Sequence, residues 1–193
     1  QLEAIRLENS NYPDVLVIEQ DLSAEQLKAL YQQSDIMVAP SRAEGFCLPL
    51  AEAILSNIPV ITTNWGGQLD FCNQQTAWLI DYDFESANSH LPVFDSVWAE
   101  PKAEHLAELM QQAYKSSPQE IESKVNAAQK LLKSRFQWRQ VVRRHQNFVQ
   151  NLTQKSNHLN IAWVSTWNIK CGIATYSQAL VESFPQPVKL ICA

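Results

Sequence analysis

The sequence predicts an α/β fold built on a parallel sheet with helices on both faces, and three observations predict it. Short apolar runs recur at Asp14-Val-Leu-Val-Ile18, Asp35-Ile-Met-Val-Ala39, Pro59-Val-Ile-Thr62 and Thr76-Ala-Trp-Leu-Ile80. They are continuous rather than alternating, as strands covered on both faces are. Helical stretches separate the first three, and strand alternating with helix is the pattern of βαβ units. With 193 residues and 46% apolar content, the chain is long enough to bury a sizeable core.

In chain order, residues 1–9 read as the end of a helix, and the turn residues Asn9-Ser-Asn-Tyr-Pro13 lead into the 14–18 strand. Ser23 with Gln26 three positions on forms a capping box for a helix over Ala24-Glu-Gln-Leu-Lys-Ala-Leu-Tyr31. Leu48 to Asn57 is the helix that connects the 35–39 and 59–62 strands. Asn64-Trp65-Gly66-Gly67 is a permissive turn, and Asp81 to Pro101, polar, aromatic and irregular, reads as a long surface loop. Helices are predicted over 102–114, 118–133 and Gln137 to Asn151. The apolar-poor stretch Asn151-Leu-Thr-Gln-Lys-Ser-Asn157 then reads as a linker. This divides the chain into units at 1–152 and 158–193, the second a short βαβ segment. It consists of the strand Ile161-Ala-Trp-Val-Ser165, the helix Gly172 to Phe184 and the strand Val188-Lys-Leu-Ile-Cys192, inside which the chain ends, as a piece of a longer protein would.

A net charge of −5 argues against a general nucleic-acid binder, which neutralises phosphates with excess Lys and Arg. No apolar run reaches the roughly 18–20 residues of a membrane span, and the first residues lack the layout of a signal peptide, so a soluble, cytoplasmic chain is expected. Cys47, Cys72, Cys171 and Cys192 have neither CxxC spacing nor framework density, which predicts free thiols. His90, His105, His145 and His158 have no partner at metal spacing, and no metal site is expected. The run Lys130 to Arg144 interleaves six cations with Phe136, Trp138 and Val141. A packed amphipathic helix accounts for it better than a membrane-surface helix does.

The most informative stretch is Ser41-Arg-Ala-Glu44-Gly45-Phe46-Cys47-Leu48-Pro49-Leu-Ala-Glu52-Ala, between two predicted strands. A loop leaving a strand and opening a helix exposes backbone N–H groups, and the helix dipole favours an anion there. Pro49 suits the first helical turn, where its missing N–H costs nothing. Gly45 permits a close approach of backbone and ligand, and a carboxylate at Glu52 is a natural bidentate partner for a vicinal diol.

With Ile58-Pro-Val-Ile-Thr62, Gly66-Gly67 and Phe136-Gln-Trp138, this motif resembles the retaining glycosyltransferases of family 4 over about Asp14 to Asn151. The resemblance implies the C-terminal, Rossmann-like, donor-binding domain of a two-domain GT-B fold. It implies that Glu44 faces the donor sugar and is the catalytic candidate, and that Glu52 binds the ribose hydroxyls. Donor contacts from Gly45, Phe46, Cys47 and Leu48 complete the set. Cys47 stands where the family usually has glycine, which narrows the space for the donor. The implied partners are a nucleotide-diphosphate-sugar donor and a carbohydrate or lipid-linked acceptor, with no cofactor, no metal and no nucleic acid. Peripheral membrane contact belongs to a longer protein.

Trp163-Val-Ser-Thr-Trp167-Asn-Ile-Lys-Cys171-Gly172-Ile-Ala-Thr-Tyr176-Ser resembles the start of another such enzyme's N-terminal domain, with Gly172 facing a cleft. This implies a piece of a tandem glycosyltransferase. In the family an Arg and a Lys on earlier strands neutralise the leaving diphosphate, where negative charge grows in the transition state. Those strands are not visible here, so full activity is not expected of the chain alone. The strand-helix-strand at 160–192 is one candidate to fill the resulting gap between the 14–18 and 35–39 strands. Two other functions stay open: a non-catalytic nucleotide-sugar-binding or scaffold domain, and a domain for another nucleotide. The second is opposed by the lack of GxGxxG after any strand.

Overall fold

A computed structural model of the chain describes residues 12–87, 96–153, 162–165, 172–183 and 189–192. The helix end expected at 1–9, most of the linker and the Cys171 loop lie outside the described residues.

The first helix, α1 (Ala24–Gln32), begins at the predicted capping box. The Gln26 N–H donates to Ser23 Oγ at 3.3 Å, and the Ser23 N–H donates to Gln26 Oε1 at 2.8 Å. Two of the helix's unpaired first-turn donors are thereby satisfied. Strand β1 (Met37–Ala39), helix α2 (Leu48–Leu55) and strand β2 (Val60–Thr63) form the predicted βαβ unit. β3 (Trp78–Ile80) adds a third strand, and the sheet runs β1-β2-β3, parallel throughout, with Val38 opposite Ile61 and Thr62 opposite Leu79.

Side chains alternate across this sheet, and the two faces carry separate cores. Met37, Ala39, Val60 and Leu79 meet Leu50 and Ile54 of α2 together with Ala128 and Leu132 of α4 (Pro118–Arg135). Val38, Ile61, Trp78 and Ile80 meet Leu106, Leu109 and Ala113 of α3 (Ala103–Lys115). The sheet is thus covered on both faces, as predicted. Leu50, Ile54, Ile61 and Ile80 are fully buried, each worth about 1.5–3 kcal/mol of transfer free energy.

α2 ends in a Schellman turn. Asn57 takes φ 74°, the Ile58 N–H reaches the Ala53 carbonyl at 3.0 Å, and the Asn57 N–H reaches that of Ile54 at 3.0 Å. Gln129 of α4 donates to the Ile54 carbonyl at 2.9 Å, which fixes the far end of α2 against the next helix.

Three expectations are corrected. Residues 14–18 form no strand, and Val15, Leu16, Val17 and Ile18 are 47, 85, 57 and 40% exposed. Among the described residues β1 pairs with β2 alone, so no neighbouring strand satisfies or covers that run. The loop expected over Asp81 to Pro101 contains an antiparallel pair, β4 (Tyr82–Ser86) with β5 (Val97–Pro101), Phe84 opposite Ala99. The alternation Tyr82-Asp83-Phe84-Glu85 was the signal for it. Finally, β6 (Ala162–Ser165) pairs in parallel with β7 (Lys189–Cys192) in a sheet of their own. The 160–192 segment therefore does not enter the sheet beside β1.

Helix α5 (Trp138–Thr153) carries α6 (Gly172–Glu182) against it. Trp138 stacks on Tyr176 at 5.9 Å, and Ser177 and Leu180 are buried.

Candidate functional site

The carboxyl ends of β1, β2 and β3 lead into the 40–47 loop, the 64–67 turn and the β4–β5 hairpin, so all three segments gather at one edge of the sheet. In open α/β sheets this edge is where ligands bind. The 40–47 loop is held from two sides. From the turn, the Gly67 N–H donates to the Glu44 carbonyl at 2.8 Å. From the hairpin, the Ala99 N–H donates to the Arg42 carbonyl at 3.2 Å. Arg42 then grips Glu100 with a bidentate fork, Nη2 to Oε1 at 2.9 Å and Nε to Oε2, while its guanidinium lies 4.4 Å from the Trp98 ring centroid. The hydrogen bond from Arg42 holds the Glu100 carboxyl below its ordinary range and raises Arg42 in turn.

Both glycines of the turn are required. Gly66 has φ 109°, a conformation L side chains rarely adopt, and a Cβ on Gly67 would overlap the Gly45 carbonyl and lie 3.1 Å from the Phe46 nitrogen. The turn is braced from within by the fully buried Gln68, whose amide donates to the carbonyls of Thr63 at 3.2 Å and Trp65 at 2.6 Å. Sequence reasoning did not place Gly66 and Gly67 against the 44–46 backbone and missed Gln68, because this packing joins segments that are far apart in the chain.

Of the residues singled out from the sequence, Glu44 is half-buried on the loop, and Gly45 beside it is exposed with open space where a side chain would project. The Phe46 ring turns into an aromatic core with Phe71 at 5.0 Å and Phe136 at 5.2 Å, so only its backbone faces the edge. Leu48 is 59% exposed at the start of α2. Glu52 is exposed, one turn further on.

Cys47 occupies the N-cap of α2 at φ 65°, ψ 70°, without a side-chain cap. That left-handed backbone is the physical reason a glycine would be favoured at this position. Its side chain is 6% exposed and belongs to the core beneath α2. Cysteine here costs backbone strain.

Two further groups, Cys47 and Tyr31, stand near Glu44 and Glu52. Burial pushes the Cys47 thiol pKa up, the Leu50 N–H opposes the rise, and Glu44 adds to it as a charge and as a hydrogen-bond partner. Tyr31 of α1, which sequence reasoning did not single out, reaches Glu52 Oε2 and the Pro49 carbonyl, each at 3.4 Å. Burial pushes the Tyr31 hydroxyl up, and Glu52 and, more weakly, Cys47 reinforce this. Tyr31 thus ties α1 to Glu52 and to the first turn of α2. Among the described residues no group of three or more His, Cys, Asp or Glu side chains is placed to hold a metal ion.

The family model for glycosyl transferases group 1 matches residues 6–131, about two thirds of the chain and all of this site, and the chain belongs to that family. Among solved structures, the C-terminal domain of a glycosyl transferase group 1 family protein (LpcC) from Francisella tularensis is similar at 20% identity and a TM-score of 0.47. The match covers 63% of this chain and spans about half, 53%, of that one. No curated protein matches. No helix among the described residues is long and apolar enough to cross a membrane.

Proposed function

We propose that this chain is the donor-binding part of a retaining glycosyltransferase, family 4 in type, that takes a sugar from a nucleotide-diphosphate-sugar and passes it to a carbohydrate or lipid-linked acceptor. The observation that carries the proposal is the placement of Glu44 on the 40–47 loop and of Glu52, held by Tyr31, on the first turns of α2, at the carboxyl edge of the parallel sheet. Glu52 is exposed and oriented by Tyr31, ready to accept two hydrogen bonds from a ribose diol. The open space at Gly45 gives the donor sugar room to approach the loop backbone beside Glu44. The start of α2 offers the positive end of its dipole to the diphosphate.

Donor binding and sugar transfer are separate capacities on this reading. Arg42, the one cation between Pro40 and Cys47, is committed to Glu100 and Trp98. The positive charge that stabilises a departing diphosphate must come from elsewhere in the protein. We assign residues 1–152 to the donor-binding unit and 158–193 to the start of a second glycosyltransferase domain, and we place the reaction in the cytoplasm with no metal required.

Calorimetric titration with UDP, GDP and ADP tests the reading. Saturable binding of at least one is expected, weakened by about 10- to 100-fold in Glu52→Ala through loss of charge-assisted hydrogen bonds. Absence of binding to the folded chain, or unchanged binding in Glu52→Ala, overturns it.

A further inference from the structure

We infer that Trp65, set among the tilted rings of Tyr82 and Phe84, is the stacking platform for a pyranose unit of an uncharged glycan acceptor, immediately beside the donor loop. The inference rests on the donor-site reading above. Trp65 packs edge-on to Phe84 at 4.9 Å and 88°, Tyr82 lies 5.2 Å from Phe84, and Trp65 lies 5.7 Å from Tyr82. The three rings are thereby fixed against one another, yet Trp65 remains 42% and Phe84 53% exposed. An exposed apolar cluster held this rigidly is costly in water and marks a contact surface.

Strand alternation decides what it contacts. Tyr82, Phe84 and Ser86 share one face of the hairpin with their cross-strand partners Pro101, Ala99 and Val97, whereas Asp83, Glu85 and Glu100 lie on the other. The ring-bearing face thus carries no charge. Its polar groups are the Tyr82 and Ser86 hydroxyls, with the exposed Asn64 next to Trp65. Flat rings with neutral donors and acceptors match the apolar C–H face and the hydroxyl edge of a pyranose; an ionic ligand would find no counter-charge. Position decides the role. Gly66 and Gly67, the two residues after Trp65, touch the Glu44–Phe46 backbone, so a sugar on the platform borders the place proposed for the donor sugar.

The test is binding of the intact chain to an array of neutral and acidic oligosaccharides, with hits confirmed by titration while tryptophan fluorescence is followed. Neutral glycans are expected to bind, with affinity falling about tenfold in Trp65→Ala and in Phe84→Ser and largely restored in Trp65→Phe. Phe84→Ser lies on the hairpin, away from the glycine turn, and guards against a folding artefact at Trp65. Binding of UDP, GDP or ADP in Phe84→Ser should equal that of the parent, which separates failure of the platform from failure of the donor reading. No bound glycan, preference for acidic glycans, or binding indifferent to both ring substitutions overturns the inference.

Discussion

Two apolar stretches of this molecule sit in opposite surroundings. In β2 every residue from Val60 to Thr63 is buried, flanked by β1 and β3 and covered on both faces. Val15 to Ile18, four consecutive β-branched or leucine residues, expose between 40 and 85% of their surface and pair with nothing in the sheet. The difference teaches that apolar composition makes a stretch eligible for a core, while neighbours on both edges and both faces make it part of one. The sharpest way to break this comparison is a matched pair of truncations followed by urea unfolding. Ile61→Ala should cost about 2–5 kcal/mol, and Leu16→Ala should stay within about 0.5 kcal/mol. Equal losses would mean that the 14–18 run is buried in solution.

The core beneath α2 offers a second contrast, between two buried thiols. Burial pushes the Cys72 pKa up to about 12, with Cys47 adding to it, whereas Cys47 is raised by burial and by Glu44. For Cys72 the folded state holds its proton over a pH range in which the unfolded chain, with the ordinary value of 9.0, has lost it. Its contribution to stability is complete below pH 9 and is lost as pH rises towards 12. The loss expected from Cys72 by pH 11 is roughly 3 kcal/mol. Urea titrations at pH 8 and pH 11 on the parent and on Cys72→Ala measure it. The parent should lose more on going to pH 11, and parallel behaviour would refute the assignment to this thiol.

A somewhat smaller effect is expected at the glycine turn. Gly67→Ala introduces a methyl where the Gly45 carbonyl already sits, at a cost of about 1–3 kcal/mol. Because the strain falls on the 44–46 backbone, nucleotide binding should weaken along with stability. Gly45→Ala meets open space and should leave stability nearly unchanged. If the two alanines behave alike, the turn and the loop do not touch as described.

Local signals explain most of what was legible in the sequence. The Ser23–Gln26 box, the continuous strand runs and the Glu44–Glu52 motif each reside within a few residues, and α1, β1–α2–β2 and β3 form where those signals lie. The 14–18 run failed because its fate depends on a neighbour the run itself does not encode. The β4–β5 pair was hidden by polar composition, although Tyr82 to Glu85 alternate with period two. Within the candidate site, the tether of Arg42 to Glu100, the contact of Tyr31 with Glu52 and the fit of Gly67 on Gly45 span 58, 21 and about 22 residues respectively, beyond the reach of any motif.

Cys47 gives the smallest expected effect and the finest distinction between core and site. Its φ of 65° stores on the order of 1 kcal/mol of strain that glycine would release. Against this, Cys47→Gly removes a buried side chain worth about 1 kcal/mol and gives the unfolded chain about 0.5–1 kcal/mol of extra conformational freedom. The opposing effects leave a net change within about 1 kcal/mol. Nucleotide affinity is the more telling readout, because Cys47 is 6% exposed and packs in the core beneath α2. Cys47→Gly should therefore bind nucleoside diphosphates within about threefold of the parent, and a much larger gain would place the thiol in the donor's path after all.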